Sequence, residues 1–272
     1  MENTSKEPFL HEHGLSLVVE YNDRMYLLDT GTTGKFAKNA ELLGMDLSQV
    51  DAAVLSHAHY DHSGGFQQFF EMNSKAKLYL RETAGEDCYE IKEGQQTYIG
   101  IPEGFLQEFA DRIVYINKDT EISKDVWLIG HHTPDLVKRG EKAHMYRKSG
   151  LDFKADDFSH EQSFVFDTKE GLVILNSCSH GGVDCIMREC MDLFPGKKVL
   201  AMIGGFHLMG AQGPMTMSAS ESDIRALAER IRVLNPQYIY TGHCTGKPAF
   251  EILQDELGDK LRAIHSGTLI QL

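Results

Sequence analysis

The sequence predicts an α/β fold in which helices cover the outer faces of β-sheets. Short apolar runs typical of strands dominate the first part of the chain, and strands alternate with helical segments in its last part. This alternation is typical of layered α/β architectures. Residue types that bind metals also follow several of the apolar runs, and α/β folds place their functional sites at the carboxyl ends of strands.

The first half of the chain predicts its elements through the spacing of apolar residues. LSLVVEY and MYLLDTG flank the turn-like NDR and therefore predict a hairpin. FAKNAELLGM has helical spacing, VDAAVLS predicts a buried strand, and GGFQQFFEM predicts a helix that begins after glycine. AKLYL, RIVYIN and DVWLIG predict three further strands.

The second half predicts strands that alternate with helices. QSFVFDT and GLVILNS predict a hairpin around KEG, and a helix is expected from Val183 to Leu193. Strand KVLAMIG precedes a strongly periodic segment over 220–235, which predicts a helix capped by Ser220 or Ser222. YIYTG predicts a strand, PAFEILQDEL a short helix, and RAIHSGTLIQL a last strand.

Two segments, 81–110 and 138–161, are polar or charged and show no clear period. We predict a single domain over residues 1–272 in which these segments are inserts or lids, since long loops in compact domains often have that role. We interpret 138–161 as a surface excursion, and a solvated loop without any role is the alternative reading for it.

The composition indicates which partners and compartments to expect. A formal net charge of −13 argues against nucleic acid and anionic membranes, because both select for basic surfaces. The five cysteines form no CxxC pair, and the N-terminal MENTSKEPFL lacks an apolar signal region. We therefore expect a cytoplasmic protein that acts on a small molecule, and its oligomeric state stays open.

One stretch, VLSHAHYDHSGG at 54–65, has an unusual density of metal-binding side chains. His57 and His59 lie two residues apart in a predicted extended segment, so they point to the same side and can bind one ion. Asp61 and His62 follow where the chain turns into a helix, and they can face a second ion. A coincidental cluster is the alternative, and the density of donors argues against it.

Other predicted strands also end in residues of this kind: Asp29, Cys178, His180, His207, His243 and Cys244. Three histidines on one ion (His57, His59 and His180) leave a fourth position open, as catalytic zinc sites require. Asp61, His62 and His243 are the expected set for a second ion. Imidazole with carboxylate suits Zn²⁺, with Fe and Mn as alternatives, and two such ions can share a bridging hydroxide that is nucleophilic at neutral pH.

These residues resemble the metallo-β-lactamase superfamily, whose signature is HxHxDH. The motifs are similar to those of the branch of dihydropterin-ribofuranosylaminobenzene 5′-phosphate synthase, namely EHGLS (12–16), DTG (29–31), SHAHYDHSGG (56–65), CSHGG (178–182), GGFHL (204–208) and GHCTG (242–246). The resemblance implies an αββα sandwich of two mixed β-sheets flanked by helices, with the metals at one edge. It also implies that Asp29 orients a ligand histidine.

The sequence departs from the family pattern at several places. Cys178 lies where most relatives carry a bridging Asp, and it is either a thiolate ligand or a buried inert cysteine. A polar tail stands where relatives usually have an opening strand. We interpret His131 and His132, in the stretch IGHHTPDL, as surface histidines. Of the two remaining strand-end histidines, the glycine-flanked His243 resembles the last ligand of the family.

The expected activity is that of a metal-dependent hydrolase that attacks a small anionic, phosphate-bearing ester. Asp61 would also move a proton, and His207 would be a proton donor or a substrate contact in the pocket wall. Lys247, His13 and two helix N-termini are expected to bind the anionic substrate.

Other readings of the same site are a synthase like the named branch and a non-catalytic ligand-binding protein. An iron redox protein of this fold is disfavoured, because those proteins usually have Glu where this chain has His59, and they carry a flavin module.

Overall fold

The structure, a computed structural model, describes residues 1–272, and the chain divides into two compact units. Unit 1 comprises Met1–Lys118, Pro134–Gln162 and His265–Leu272. Unit 2 comprises Asp119–Thr133 and Ser163–Ile264. No helix is both long enough and apolar enough to cross a lipid bilayer.

The strands are, in chain order, β1 Leu17–Tyr21, β2 Arg24–Leu28, β3 Ala52–Val54, β4 Lys77–Arg81, β5 Cys88–Lys92, β6 Gln95–Tyr98, β7 Ile113–Ile116, β8 Thr120–Ser123, β9 Val126–Gly130, β10 Met145–Ser149, β11 Asp152–Ala155, β12 Gln162–Asp167, β13 Leu172–Leu175, β14 Val199–Ile203, β15 Met209–Gly210, β16 Gly213–Met217, β17 Tyr238–Thr241 and β18 Leu261–Ala263.

The α-helices are α1 Lys35–Leu42, α2 Tyr60–Ser63, α3 Phe66–Met72, α4 Phe105–Glu108, α5 Leu136–Ala143, α6 Val183–Leu193, α7 Glu221–Leu234 and α8 Lys247–Leu257. Short 3-10 turns lie at Leu47–Gln49, Ala110–Arg112, His243–Thr245 and Gly258–Lys260.

Unit 1 is built on a five-stranded sheet in the order β1-β2-β3-β4-β7. The hairpin β1–β2 is antiparallel, as predicted, whereas β2, β3, β4 and β7 pair in parallel. The parallel pairing of β2 with β3 brings their carboxyl ends to the same edge of the sheet. The residues that follow these two strands, Asp29 and His57, are therefore neighbours despite their separation in sequence.

A second, antiparallel sheet of unit 1 has the order β11-β10-β5-β6 and arises from the two segments without sequence period. The predicted surface excursion over 138–161 does lie largely at the surface, but α5, β10 and β11 give most of it regular structure. The prediction is wrong for its end, where Asp156 and His160 are buried at 0% and 1% exposure. The role of both segments as lids stays a prediction.

The core of unit 1 is apolar and rich in phenylalanine. Phe66, Phe69 and Phe70 on α3 are buried against residues of β3 and β4 and against Phe105. The rings of Phe70 and Phe105 stack with centroids 5.9 Å apart. This packing anchors α3 directly after the HAHYDHSGG stretch, so the end of that stretch is held by a rigid element.

Unit 2 is built on a seven-stranded mixed sheet in the order β18-β17-β14-β13-β12-β9-β8. The predicted hairpin β12–β13 is antiparallel, and β13, β14, β17 and β18 pair in parallel. The carboxyl ends of β13, β14 and β17 therefore lie along one edge. The loops that carry Cys178, His180, His207 and His243 leave the sheet at that edge.

The helices of unit 2 form where the sequence predicts them. The periodic segment forms α7, and Ser220 caps it in a reciprocal arrangement with Asp223. Ile224, Ala228 and Ile231 point from α7 into the core of unit 2. An amphipathic helix of this kind buries its apolar face against the sheet, and this packing is the main source of its stability.

Candidate metal centre

The HAHYDH stretch of unit 1 brings its three histidines together. His59 is the extended residue that precedes α2, with φ −106° and ψ 151°. The ring centroid of His57 lies 4.6 Å from that of His59 and 4.2 Å from that of His62. All three side chains are at most 4% exposed. The geometry therefore gathers imidazole donors at the carboxyl end of β3, where the sequence predicts them.

Asp29 organises this cluster through hydrogen bonds. Its carboxylate accepts the Ser56 backbone N–H at 2.7 Å and the Ser56 hydroxyl at 2.6 Å, and it contacts Nδ1 of His62 at 2.8 Å. Ser56 Oγ also lies 2.8 Å from Nδ1 of His57. Because the single hydroxyl proton of Ser56 goes to Asp29, the hydroxyl oxygen accepts the Nδ1 proton of His57.

These contacts fix which nitrogen of each ring is available to a metal. With Nδ1 donating to an oxygen, the neutral ring carries its lone pair on Nε2, which is the usual arrangement of a metal-ligating histidine. His57 has this arrangement, and Asp29 holds Nδ1 of His62 in the same way. The predicted function of Asp29 as the carboxylate behind a ligand histidine matches the observed hydrogen bond to His62.

Burial and charge act differently on two of the rings. Burial lowers the pKa of His59 to about 3, so this ring is neutral. Burial alone would lower the pKa of His62, but Asp61 and Asp29 raise it to about 10. In the absence of metal His62 is therefore cationic, and a metal ion would replace its Nε2 proton.

Asp61 lies at the exposed side of the cluster. Its carboxylate is 3.3 Å from Nε2 of His62 and 3.2 Å from Nε2 of His13. The side chain of His13 is 42% exposed. His13 is therefore adjacent to the predicted ligand Asp61 and open to solvent, and its contact with a substrate stays a prediction.

The structure adds three buried residues that the sequence analysis missed: Cys88, Asp156 and His160. Their donor atoms and one of His59 all lie within 4.8 Å of one another. Asp156 and His160 lie in the segment interpreted as a surface excursion, so the sequence analysis does not predict them as site residues. The only signal in the sequence was a second Asp and His pair just before the apolar run QSFVFDT.

In unit 2 the predicted site residues follow three parallel strands. His180 lies in the loop after β13, His207 after β14 and His243 after β17. The backbone is left-handed at His207 and His243, with φ of 50° and 49°, and at Ser179, with φ of 55°. Side chains rarely adopt this conformation, and such strain concentrates at functional sites.

The predicted site residues that follow these strands are close to one another within unit 2. The rings of His180 and His207 have centroids 4.3 Å apart. The backbone N–H of His207 donates to Sγ of Cys244 at 3.2 Å. Burial opposes ionisation of Cys244, but its hydrogen bond with Cys178 and the nearby His243 hold the pKa of this thiol well below its usual value.

His131 is not a surface histidine, and that interpretation is wrong. Its side chain is 1% exposed, and Nδ1 contacts the Glu189 carboxylate on α6 at 2.9 Å. Nε2 lies 2.8 Å from Ser163 Oγ and 3.2 Å from Nδ2 of Asn176. Glu189 is far from His131 in sequence, so no local pattern revealed the pair. His132 is exposed, as predicted.

Asn176 links this buried pair to the loop after β13. Its Nδ2 donates to Ser163 Oγ at 2.9 Å, and its Oδ1 accepts the backbone N–H of Ser179 at 2.7 Å. Ser179 lies between Cys178 and His180. The network that begins at Glu189 therefore supports the loop that carries two of the predicted site residues.

Lys247 begins α8 and is solvent-exposed. Its ammonium lies 3.7 Å from the Glu251 carboxylate on the next turn of the same helix. Helices α6 and α8 both begin without a side-chain cap, after Gly182 and Gly246. Their first N–H groups are thus not used by a capping side chain, as the prediction of anion binding at these ends requires.

The residues present fit a divalent metal. Unit 1 supplies three buried imidazoles, two of which have Nδ1 held by an oxygen, together with the carboxylate of Asp61. Nitrogen with carboxylate oxygen is the donor set of zinc, iron and manganese proteins. The fold and these donors define a metal-dependent α/β protein. The sequence model of the metallo-beta-lactamase superfamily matches residues 11–160, more than half of the chain, and the chain belongs to this superfamily.

Individual relatives support the same assignment. The chain is 26% identical, over 97% of its length and 91% of the relative, to the 7,8-dihydropterin-6-methyl-4-(beta-D-ribofuranosyl)-aminobenzene-5'-phosphate synthase of Methanocaldococcus jannaschii. It is 30% identical to the anti-Pycsar protein Apyc1 of Paenibacillus harenae over 66% of its length and 70% of that protein.

Among solved structures, that of Tm1679, a metal-dependent hydrolase of the β-lactamase superfamily, has a TM-score of 0.82 and 27% identity, covering 100% of this chain and 96% of Tm1679. The predicted metallo-β-lactamase-like fold and the predicted branch resemblance are both confirmed.

Proposed function

We propose that the chain is a metal-dependent hydrolase of a small anionic ester, with zinc as its metal. The observation that carries this proposal is the buried cluster of His57, His59 and His62, in which Ser56 and Asp29 hold Nδ1 of His57 and His62, so that Nε2 is the nitrogen of these two rings that can bind a metal. A purely structural histidine cluster would have no reason to carry two rings with Nδ1 fixed by oxygens and, beside them, a carboxylate that is only 10% exposed.

The proposed ligands are His57, His59, Asp61 and His62 of unit 1, together with His180 and His243 of unit 2, and two ions are proposed. A bound metal would lower the pKa of water and polarise the oxygen that gains charge. Asp61 would hold and move a proton at its Oδ2 atom, which contacts His62 and the exposed His13. His207, beside His180, is the proposed donor to the leaving group.

An anionic substrate is supported by the uncapped helix N-termini of α6 and α8, which favour negative charge. The product named for the Methanocaldococcus jannaschii relative carries a ribose 5'-phosphate. We therefore propose a phosphate-bearing ester as the first substrate class to test, with Lys247 and His13 as substrate contacts.

Elemental analysis combined with turnover tests this proposal. Wild type, His59→Ala and His180→Ala would be purified beside His132→Ala, an exposed histidine that serves as the matched control. We expect bound zinc and hydrolysis of a phosphodiester, lactone or thioester in wild type and the control, with both lost or strongly reduced in the other two. Unchanged metal content and turnover in His59→Ala would refute the proposal.

A synthase is the second candidate, because the relative that shares 97% of this chain's length is named as one. In that case the same metal cluster would activate one substrate for transfer to another instead of to water. A condensation assay with a dihydropterin and an aminobenzene ribose phosphate, run beside the ester panel, separates the two. Retention of a ligand without turnover by the fully metallated protein would instead indicate a binding protein.

A further inference from the structure

A buried acid–imidazole pair, Asp156 and His160, lies beside the proposed ligands of unit 1. The two residues are 0% and 1% exposed. The ring of His160 has its centroid 6.2 Å from that of His57 and 5.6 Å from that of His59. An ionisable pair this deeply buried is costly unless it is fully hydrogen-bonded, so its contacts are informative.

The contacts of His160 are to the backbone of the ligand segment itself. The N–H of Ala58, the residue between His57 and His59, donates to Nδ1 of His160 at 3.1 Å. Nε2 of His160 lies 3.1 Å from the carboxylate of Asp156. The other carboxylate oxygen of Asp156 accepts the N–H of Phe158 at 2.8 Å, which fixes the acid in turn.

The same segment holds the preceding residues of the ligand strand. The backbone N–H of Gln162 donates to the carbonyl of Ser56 at 2.8 Å, and its side-chain amide donates to the carbonyl of Leu55 at 2.9 Å. Residues 156–162 therefore contact the backbone at Leu55, Ser56 and Ala58. These contacts hold the chain on both sides of His57.

The protonation of His160 follows from these partners. Burial disfavours a charged ring, and Asp156 favours one and raises the pKa of His160. A doubly protonated ring, however, would direct Nδ1–H against the N–H of Ala58. The neutral ring, with its lone pair on Nδ1 and its proton on Nε2 toward Asp156, is the form that satisfies both contacts.

A metal ion held by His59, Cys88, Asp156 and His160 is the competing explanation for this cluster. Sγ of Cys88 lies 3.8 Å from Nε2 of His160, a spacing that two ligands of one ion could have. Nδ1 of His160 already uses its lone pair to accept the N–H of Ala58. A metal bound to Nε2 would need a lone pair on that nitrogen as well, so the ring would have to lose both of its N–H protons. That ring would be an anionic imidazolate, so the hydrogen bonds disfavour this site.

We propose that Asp156 and His160 are positioning residues that fix the backbone between His57 and His59, so that both imidazoles are oriented before a metal binds. The proposal rests on the proposed metal-dependent function. Partners that orient metal ligands typically contribute about 10- to 100-fold to metal affinity. Here the orientation acts through the backbone N–H of Ala58 and not through a ligand ring.

Two substitutions of His160 separate a positioning role from metal ligation, because each places a polar atom near only one of the two ring nitrogens. The side-chain oxygen of Asn lies near the place of Nδ1, so His160→Asn retains an acceptor for Ala58. The oxygen of Gln lies near the place of Nε2, so His160→Gln removes that acceptor and keeps a group near Asp156 and Cys88. We expect His160→Gln to bind Zn²⁺ about 10- to 100-fold more weakly and His160→Asn to remain within about threefold of wild type.

Zinc affinity would be measured on the folded protein by competition with a chromophoric chelator, with zinc content per chain and the visible spectrum of the Co²⁺ form as further readouts. His132→Asn and His132→Gln are the matched controls. An altered Co²⁺ spectrum at unchanged stoichiometry in His160→Gln supports positioning. Equal loss in both His160 variants, or loss of one zinc per chain in His160→Asn alone, would overturn it.

A second variant tests the proposal independently, in case His160→Gln does not fold. Asp156→Asn keeps the side-chain shape but weakens the acceptor for His160, and we expect its zinc affinity to fall in the same direction. Unchanged affinity in Asp156→Asn would count against the proposal. Failure of the metal-dependent function itself would be seen separately, as unchanged zinc content in His57→Ala.

Discussion

Units 1 and 2 hold their predicted site residues in different ways. In unit 1 the residues come from one short stretch, and the buried side chains of Asp29 and Ser56 hydrogen-bond to their rings. In unit 2 they come from three loops, and the backbone itself is left-handed at Ser179, His207 and His243. In unit 1 a polar network therefore contacts the ligand rings directly, whereas in unit 2 the network of Asn176 supports the loop conformation through the backbone of Ser179.

This difference indicates where each unit is vulnerable. A buried carboxylate that serves several donors cannot be removed without leaving all of them unpaired, and each such donor costs about 1–3 kcal/mol. A left-handed residue costs roughly 1–2 kcal/mol in the native state, so the surrounding loop must compensate for it. We therefore expect single substitutions to have larger effects in the network of unit 1 than in the loops of unit 2.

The largest effect is expected for Asp29→Ala. Three hydrogen bonds to a fully buried carboxylate would be lost, including the one to Nδ1 of His62. We expect a loss of about 3–5 kcal/mol in the free energy of unfolding and a fall of at least about 10- to 100-fold in zinc affinity. Urea unfolding and chelator competition measure the two quantities.

Asp29→Asn is the matched variant, since it keeps the shape of the side chain and tolerates the left-handed backbone at this position, φ 57°. It should fold better than Asp29→Ala and still bind zinc weakly, because its amide cannot accept from both Ser56 and His62. Wild-type affinity in both variants would show that the polar network does not organise the ligands.

The next largest effect is the pH dependence of metal binding. Asp61 and Asp29 raise the pKa of His62, which burial alone would lower, to about 10. The metal must displace a proton from this ring, so zinc affinity should increase about tenfold per pH unit through the neutral range. Calorimetry in buffers of different ionisation enthalpy should show proton release, and zinc binding without proton release would contradict a cationic His62.

The raised pKa has the opposite consequence for the metal-free protein. Protonated His62 is stabilised by its two carboxylates below its ordinary pKa of 6.5, and that stabilisation is lost as the pH rises toward about 10. Unfolding of the metal-free protein followed across this range should therefore show falling stability, whereas the zinc-loaded protein should show little change.

The sequence predicts much of the site in unit 1 because its information is local. The HxHxDH spacing, the apolar run before it and the two glycines after it lie within twelve positions. Gly64 illustrates why those small residues are required, since a Cβ there would lie 2.0 Å from the carbonyl oxygen of Thr32. Secondary structure with strong periodicity, such as α7, was predictable for the same reason.

The missed residues depend on contacts between distant parts of the chain. The segment containing β10 and β11 folds because β10 pairs with β5 and because Arg147 forms an ion pair with Asp87. His160 is buried because Ala58 and Asp156 satisfy its nitrogens, and His131 is buried because Glu189 does. Periodicity and composition do not encode such partners, so sequence patterns alone predict exposure for polar residues in these positions.

A smaller effect is expected in unit 2, from Asn176→Ala. This change leaves the N–H of Ser179 without its side-chain acceptor and removes a donor to Ser163. We expect a loss of about 1–3 kcal/mol in the free energy of unfolding, and weaker zinc binding if the loop after β13 positions His180. If the free energy of unfolding fell as much in Asn176→Ala as in Asp29→Ala, substitutions in unit 1 would not have larger effects than those in unit 2.

The smallest effect is expected for Ser220→Ala, which tests whether a loss of stability in unit 2 is enough to disturb metal binding. Ser220 accepts the N–H of Asp223 at 3.2 Å and starts α7, a helix that carries none of the proposed ligands. Loss of the cap should cost about 1 kcal/mol and lower the melting temperature by about 2–4 °C. Zinc affinity should stay at the wild-type value, since no proposed ligand depends on this cap. If the zinc affinity of Ser220→Ala fell together with its stability, any loss of stability in unit 2 would weaken zinc binding. The weaker zinc binding of Asn176→Ala would then have the same general cause, and the hydrogen bonds of Asn176 would have no specific role in positioning His180.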